Sequence, residues 1–557
     1  MAMAVPPSRY RRLRKASDPS TFTAASPPSK LMCFAKKHTS CEDRISSLPD
    51  EILITILDKL DTRSIVATII LSRRWRDLPR SLTTSYNLAV NDMLPPRYHR
   101  LKRINMEAKA GYQAAKNAEK LTCMYAVMAQ HDRWMAKIRP RTAILKRYER
   151  RAMRRYVKQV NSFLLAPTDV RQHRPVQKLR LQTVGRGWTH TIDKWIATAI
   201  GKWGVEDFEL AVEDGYHSYD LRKLDRYQNV RLERLALYNC EPVCAWNCFV
   251  VQRLTKLELC GCLCSGLIIP ILTNCRNLTD FRIRCSRSFR PAFSLDVPTS
   301  KIKNLQVDRC EFGKIYLISL ACLETFACRG HTTKLYYGEV PRLRHISLDY
   351  SQTEGDEMND DSTVDTAYPS SYPPSKFFKR IPPLLDSLVL QFKGPQMWIQ
   401  PLAIPSSFGQ LKKMFIANLQ VNWDVHWILL LLDAAPVLES FQVHIDNSGE
   451  ERSRGGVCAG LDVAAQQQHQ FCRLKELAVA GFEGLGWQTG FVRLIMNSSP
   501  LLRCVHLLDG EVRYEDEQDL GVLKVVPRRR EWHECERAEV LDDLTAGFSW
   551  PPQIVLE

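Results

Sequence analysis

Leu232-Glu-Arg-Leu235-Ala-Leu237-Tyr-Asn-Cys240 is followed, 22 residues on, by Leu254-Thr-Lys-Leu257-Glu-Leu259-Cys-Gly-Cys262. Both stretches place apolar residues at the first, fourth and sixth positions and a cysteine at the ninth. Successive side chains of a strand point to opposite faces, so Leu235 and Leu237 turn to one side and Ala236 to the other. The first leucine of each stretch then packs beneath that apolar face. The ninth residue is small and polar, suited to bonding backbone in a turn; Cys310 falls at the same place in Ile302-Lys-Asn-Leu305-Gln-Val307-Asp-Arg-Cys310.

The pattern opens at Val176/Leu179/Leu181 and continues through Val205/Phe208/Leu210. After the quoted copies it recurs at Leu278/Phe281/Ile283, Leu323/Phe326/Cys328 and Leu343/Ile346/Leu348. It resumes at Leu385/Leu388/Leu390, Leu411/Met414/Ile416 and Leu438/Phe441/Val443, and closes at Leu474/Leu477/Val479 and Leu502/Val505/Leu507. Thirteen copies at steps of mostly 20 to 29 residues match the leucine-rich-repeat period. One unit cannot bury its apolar face alone, and stacked units bury it continuously. The expected fold class is therefore an α/β solenoid: an irregular leucine-rich-repeat horseshoe with a parallel concave sheet over 176–510. Its strands should centre near Leu179, Leu235, Leu257, Leu305 and Leu388. Two long steps contain insertions. Residues 352–375 hold six acidic residues and no basic one, and 447–470 are rich in Gly, Gln and Ser. Both are expected to be mobile loops. Residues 511–557 are left as a C-terminal tail.

Upstream, 83–175 reads as a basic helical linker. Between Arg97 and Lys158 there are 18 Lys and Arg against 4 Asp and Glu, so this segment supplies most of the net charge of +17. Leu145, Tyr148, Ala152, Tyr156, Val160 and Phe163 recur at three- and four-residue steps and form one apolar stripe, which should dock on the first repeats. Arg147, Arg150, Arg151, Arg154, Arg155 and Lys158 fill the rest of the circumference. Residues 1–42 form a basic, Ser- and Pro-rich tail expected to be disordered.

Between them lies Leu48-Pro-Asp-Glu-Ile-Leu53, leading through Ile56, Leu57 and Leu60 to Leu71-Ser-Arg-Arg-Trp75. Ser47-x-x-Asp50 reads as a capping box before an apolar run, with Pro49 in a first helical turn. About forty residues are too few to bury this much apolar surface unaided. The unit at 43–82 resembles an F-box, and its combination with repeats resembles the plant F-box/leucine-rich-repeat proteins. Phe491-Val-Arg-Leu-Ile-Met-Asn-Ser-Ser-Pro-Leu-Leu502 resembles part of an FBD-type C-terminal region. The resemblance implies the substrate-recognition subunit of an SCF-type E3 ubiquitin ligase. Its F-box would bind a Skp-type adaptor, and through it a cullin–RING scaffold, while the repeats hold a target protein. It also implies that Leu48, Pro49, Ile52, Leu53, Ile56, Leu57, Leu71 and Trp75 belong to the adaptor-binding unit.

Other classes are set aside on the residues. No P-loop, GxGxxG, GxSxG or HExxH pattern occurs, so the chain is read as non-catalytic and without a cofactor. Cys240, Cys244, Cys248, Cys260, Cys262 and Cys264 have zinc-ligand chemistry, but most of these positions carry repeat or core roles, and no metal is expected. The basic segment has the charge for phosphate contacts; charge runs on helices are usually solvated or intramolecular surfaces, here with the acidic loop 352–375 as a docking partner within the chain, so nucleic acid is not the expected partner. No apolar run is long enough to span a bilayer, and no secretory h-region is visible. Eighteen cysteines without framework spacing fit reduced thiols in the nucleus or cytoplasm.

Overall fold

Each of the thirteen copies forms a strand, and all thirteen lie in one sheet of fifteen strands. The computed structural model describes residues 48–59, 85–118, 124–165 and, with short gaps, 176–351, 382–393, 408–446 and 469–557. By its internal contacts the chain divides into two units, Met1–Thr55 and Ile56–Glu557. The strands centred on Leu179, Leu235, Leu257, Leu305 and Leu388 are present and pair in parallel.

Register follows the repeat. Leu179 stands beside Phe208, Phe208 beside Leu235, and Leu235 beside Leu257. These residues and their counterparts are buried in one continuous core. Backbone bonds just ahead of each strand extend the order: the Lys303 N–H donates to Thr279 O (2.8 Å), Glu324 to Lys303 (2.9 Å), Arg344 to Glu324 (3.0 Å) and Asp386 to Arg344 (2.9 Å). The last of these spans the acidic insertion. Strand His345–Ser351 pairs directly with Ser387–Lys393, so the extra residues interrupt the sequence and not the sheet. The insertions lie outside the described residues, 352–375 wholly and 447–470 up to residue 468, as does the tail 1–42.

The turn leaving each strand explains the ninth-position cysteines. Asn239, Gly261, Cys285 and Arg309 follow their strands with φ of 53°, 68°, 45° and 48°. This left-handed step reverses the chain. A Cβ at Gly261 would lie 2.1 Å from Asn239 Oδ1, so that copy needs glycine. Next in line, buried thiols satisfy turn carbonyls: Cys262 Sγ donates to Cys240 O (3.3 Å), and Cys310 Sγ to Asp308 O (3.4 Å).

The sheet does not stop at the limits read from the repeats. Strand Ser85–Ala89 adds one edge beside Lys178–Val184, and Gln553–Leu556 adds the other beside Cys504–Leu508. So part of the expected linker and the end of the expected tail belong to the solenoid. Both strands keep the spacing with an atypical first residue, Thr83-x-x-Tyr86-x-Leu88 and Pro551-x-x-Ile554-x-Leu556.

The basic segment forms helices Pro96–Ala118 and Met124–Leu164. They pack on each other, with Gly111 leaving room for the Trp134 ring: a Cβ there would sit 3.1 Å from it. The apolar stripe docks as expected. Leu145, Ala152, Tyr156, Val160 and Phe163 join the core of the first repeats. Tyr156 Oη donates to Leu88 O (2.6 Å), and Trp195 Nε1 to Asn161 Oδ1 (2.8 Å). Lys102 and Asn91 bind the Glu213 carboxylate of strand Asp207–Glu213 at 3.1 and 2.9 Å. No helix among the described residues is long and apolar enough to cross a membrane.

Candidate functional site: an exposed helix face and a polar sheet face

The F-box motif begins in helix Asp50–Asp58. Pro49 precedes the helix rather than occupying its first turn. Its carbonyl accepts from the N–H groups of Ile52 and Leu53, both at 3.2 Å. Proline suits that place because its φ is already set and no donor is lost from the helix. Asp50 and Glu51 in the first turn match the positive end of the helix dipole. The helix then sorts its apolar residues. Leu53 and Leu57 are buried, and Ile52 and Ile56 are 46% and 39% exposed. Each pair is spaced i, i+4, so each forms one stripe. Leu48 is half-buried and Pro49 exposed. Leu71 and Trp75 lie outside the described residues, as does Ser47 of the expected capping box.

The second surface is the polar face of the sheet, lined by the variable residues of each strand. Adjacent strands stand about 4.8 Å apart, so charges one strand apart can pair. Arg180 meets Glu209 (2.7 Å), and Arg234 meets Asp207 (2.8 Å) and Glu258 (3.4 Å). Arg284 bridges Glu258 (3.4 Å) and Asp308 (3.0 Å), and Arg329 closes on Asp308 at 2.7 Å. Asp308 is only 2% exposed and touches three arginines, the third being Arg309 at 3.3 Å. Burial pushes its carboxyl up, but Arg329 and its neighbours outweigh this and hold it below the ordinary carboxylate range. Cys285, in the turn beyond Arg284, is exposed. The Cys260 thiol bonded to it and nearby Arg309 bring the Cys285 thiol down to about 6.

Beyond Asp308 this face is covered. Gly510–Asp516 and Asp519–Pro527 form an antiparallel hairpin that lies on the middle strands. Val512, Leu523 and Val525 pack on Val389, Phe415 and Ala417. Tyr514 Oη donates to Asp349 Oδ2 (2.6 Å), with the Arg329 guanidinium 5.1 Å from the Tyr514 ring centre. Ser347 Oγ donates to Leu520 O (3.1 Å), and His345 Nε2 lies 3.0 Å from Gly521 O, placing its proton there. Sequence reasoning missed this hairpin. Its signal was the alternation of Val512 and Tyr514 with charged Glu511, Arg513 and Glu515, but its seat lies some 165 residues away. Of the cysteines with zinc-ligand chemistry, Cys240 and Cys262 are buried and Cys260 is half-buried; Cys244, Cys248 and Cys264 lie outside the described residues.

A stacked parallel sheet with one L-x-x-L-x-L strand per turn, preceded by a helix with the F-box sequence, defines an F-box/leucine-rich-repeat protein. Comparison with known proteins agrees. The family described as "At1g61320/AtMIF1, LRR domain" matches residues 171–519, and the F-box domain matches 45–84. The chain therefore belongs to this leucine-rich-repeat family and carries an F-box at its N-terminal side. Among curated proteins of Arabidopsis thaliana, it is similar to "Putative FBD-associated F-box protein At1g05080", 63% identical over 35 residues, 6% of this chain and 8% of that protein. It is 41% identical over 58 residues to "Putative F-box/FBD/LRR-repeat protein At3g49030", 10% of this chain and 12% of that protein. It is also 41% identical over 63 residues to "F-box/FBD/LRR-repeat protein At5g56420", 11% of this chain and 14% of that protein. The matches are thus local and cover less than a sixth of each relative's length. F-box domains in general bind Skp-type adaptors and leucine-rich repeats bind targets; the family is of this non-catalytic, adaptor kind.

Proposed function

We propose that this chain is the substrate-recognition subunit of an SCF-type E3 ubiquitin ligase, acting in the nucleus or cytoplasm. The observation that carries the reading is the exposed Ile52–Ile56 stripe on an F-box helix in a chain whose larger unit is a repeat stack. Pro49, Ile52 and Ile56 meet the Skp-type adaptor, with Leu48 at their edge. Leu53 and Leu57, turned inward, hold the helix in place. Leu71 and Trp75 complete the adaptor-binding unit. The cullin–RING scaffold is reached through the adaptor, so this chain contributes proximity and orientation and makes no bond itself.

The target belongs on the polar sheet face, on the strands from Lys178–Val184 to Asp280–Arg284, where the hairpin does not lie. Because the charges there are already matched, a target is recognised by shape and by the half-exposed Arg282 and Tyr238 more than by net charge. The test is reconstitution. Purified chain mixed with adaptor, cullin and RING subunit should elute as one assembly and support ubiquitin transfer to proteins it captures from the native tissue. Correctly folded chain that elutes apart from the adaptor would leave a binding protein outside the ligase as the better account.

A further inference from the structure

Helix Met124–Leu164 buries one side and leaves the other unanswered. At about 100° per residue, Arg147, Arg150, Arg151, Arg154, Arg155 and Lys158 occupy one continuous arc opposite the buried stripe. All six are exposed. Of the sixteen Lys and Arg side chains described between Arg97 and Lys158, only Lys102 and Arg103 join an ion pair, with Glu213 and Glu107. The others have no ionic partner among the described residues. Tyr98 of the neighbouring helix donates its hydroxyl hydrogen to Glu149 Oε1 at 2.9 Å, on the side of the helix away from this arc. The patch is rigid, because the same helix is packed into the core through Tyr156 and Phe163. From Arg147 to Lys158 it runs about 17 Å at 1.5 Å per residue.

We infer that helix Met124–Leu164 binds, through this arc, the phosphate backbone of a nucleic-acid duplex. Three features select that partner. Like charges at i, i+4 destabilise a helix, and no carboxylate among the described residues offsets this arc, so it is suited to a polyanion. Arginine predominates, and its planar fork matches phosphate oxygens two at a time. Between Lys146 and Ser162 no exposed side chain is apolar, and exposed Ile144 and Leu165 lie only at the two ends, whereas protein partners usually anchor on a buried apolar or aromatic centre. Within the span of the arc the aromatic rings are Tyr148, half-buried, and Tyr156, buried, so neither offers there the exposed platform for base stacking that single-strand binders use. Contacts of this kind hold backbone and carry no sequence information.

The experiment measures affinity of the full chain for a labelled, mixed-sequence duplex across a salt series. With five or six phosphates neutralised, affinity should fall roughly a thousandfold between about 50 and 200 mM salt. Replacing Arg150, Arg151, Arg154 and Arg155 by serine should weaken binding and lower the salt slope by about 3 to 4, about one for each phosphate left without its arginine. The same four positions as lysine should retain most of it. A control with equal charge removed elsewhere, at exposed Arg276, Lys301, Arg342 and Arg473, should behave as wild type. The proposal is overturned if the control is weakened as much as the serine variant, if the serine variant keeps the full slope, or if a polyglutamate peptide binds more tightly than the duplex. None of these outcomes bears on adaptor binding, which uses a different helix.

Discussion

Arg284 and Arg154 lie in the same large unit of the chain, yet their surroundings differ. Arg284 stands in the sheet between Glu258 and Asp308, while Arg154 stands on a helix with Arg150, Arg151, Arg155 and Lys158 around it and no carboxylate among the described residues paired with it. A parallel stack places each strand's variable residues beside those of the next, so charges can alternate and cancel along the sheet. A helix places residues three and four apart side by side, and here those neighbours share a sign. The sheet face is thus built for stability and shape, and the helix face keeps its charge unmatched among the described residues. Net charge of the whole molecule would hide this division.

Asp308→Ala breaks the sheet side most severely. It would leave Arg284, Arg309 and Arg329 without a common partner, and removing one member of a buried pair costs about 3 kcal/mol or more. Urea denaturation should show that loss. Acid should imitate it. The carboxyl titrates below its ordinary range in the folded chain, so its contribution is fully present above about pH 4, the unfolded value, and is lost as the pH falls further through the folded value. Stability of the Asp308→Ala variant should therefore depend less on pH below about 4 than wild type.

Tyr514→Phe probes the hairpin on the same face. A hydrogen bond to a charged group is worth about 1.5–3 kcal/mol, and its loss should also raise amide exchange across 510–527. Unchanged exchange there would mean that the apolar packing on Val389 and Phe415 holds the hairpin without it.

The smallest effect is expected on the helix. Arg150→Gln with Arg154→Gln should alter stability by no more than about 0.5 kcal/mol and in the stabilising direction, because like-charge repulsion is relieved. A clear loss of stability would show that these arginines have partners within the fold, and the contrast between the two faces would fail.

Much of this organisation is legible in the sequence. The thirteen repeat strands are readable because each carries its own apolar spacing, and stacking needs only nearest neighbours. The apolar stripe of Leu145 to Phe163 is readable for the same local reason. The edge strands at Ser85–Ala89 and Gln553–Leu556 are not, since Thr83 and Pro551 replace the leucine that announces a copy. Nor can the alternation of Arg180, Glu209, Arg234 and Glu258 be read as a ladder. It exists only once register aligns residues more than twenty positions apart. The hairpin is least legible, because nothing near Tyr514 indicates Asp349. In the F-box, apolar spacing identifies the helix, but only burial separates Ile52 and Ile56 from Leu53 and Leu57.

That separation allows the central claim to be tested without disturbing the fold. Ile52→Ala with Ile56→Ala removes two exposed side chains and should leave thermal unfolding of the repeat stack unchanged. Full burial of such a side chain is worth about 1.5–3 kcal/mol, and somewhat under half of that remains to be gained by each against a Skp-type adaptor, so calorimetric titration should show adaptor affinity falling roughly ten- to a hundredfold. Full affinity in the double variant, or no adaptor binding by folded wild-type chain, would contradict the account.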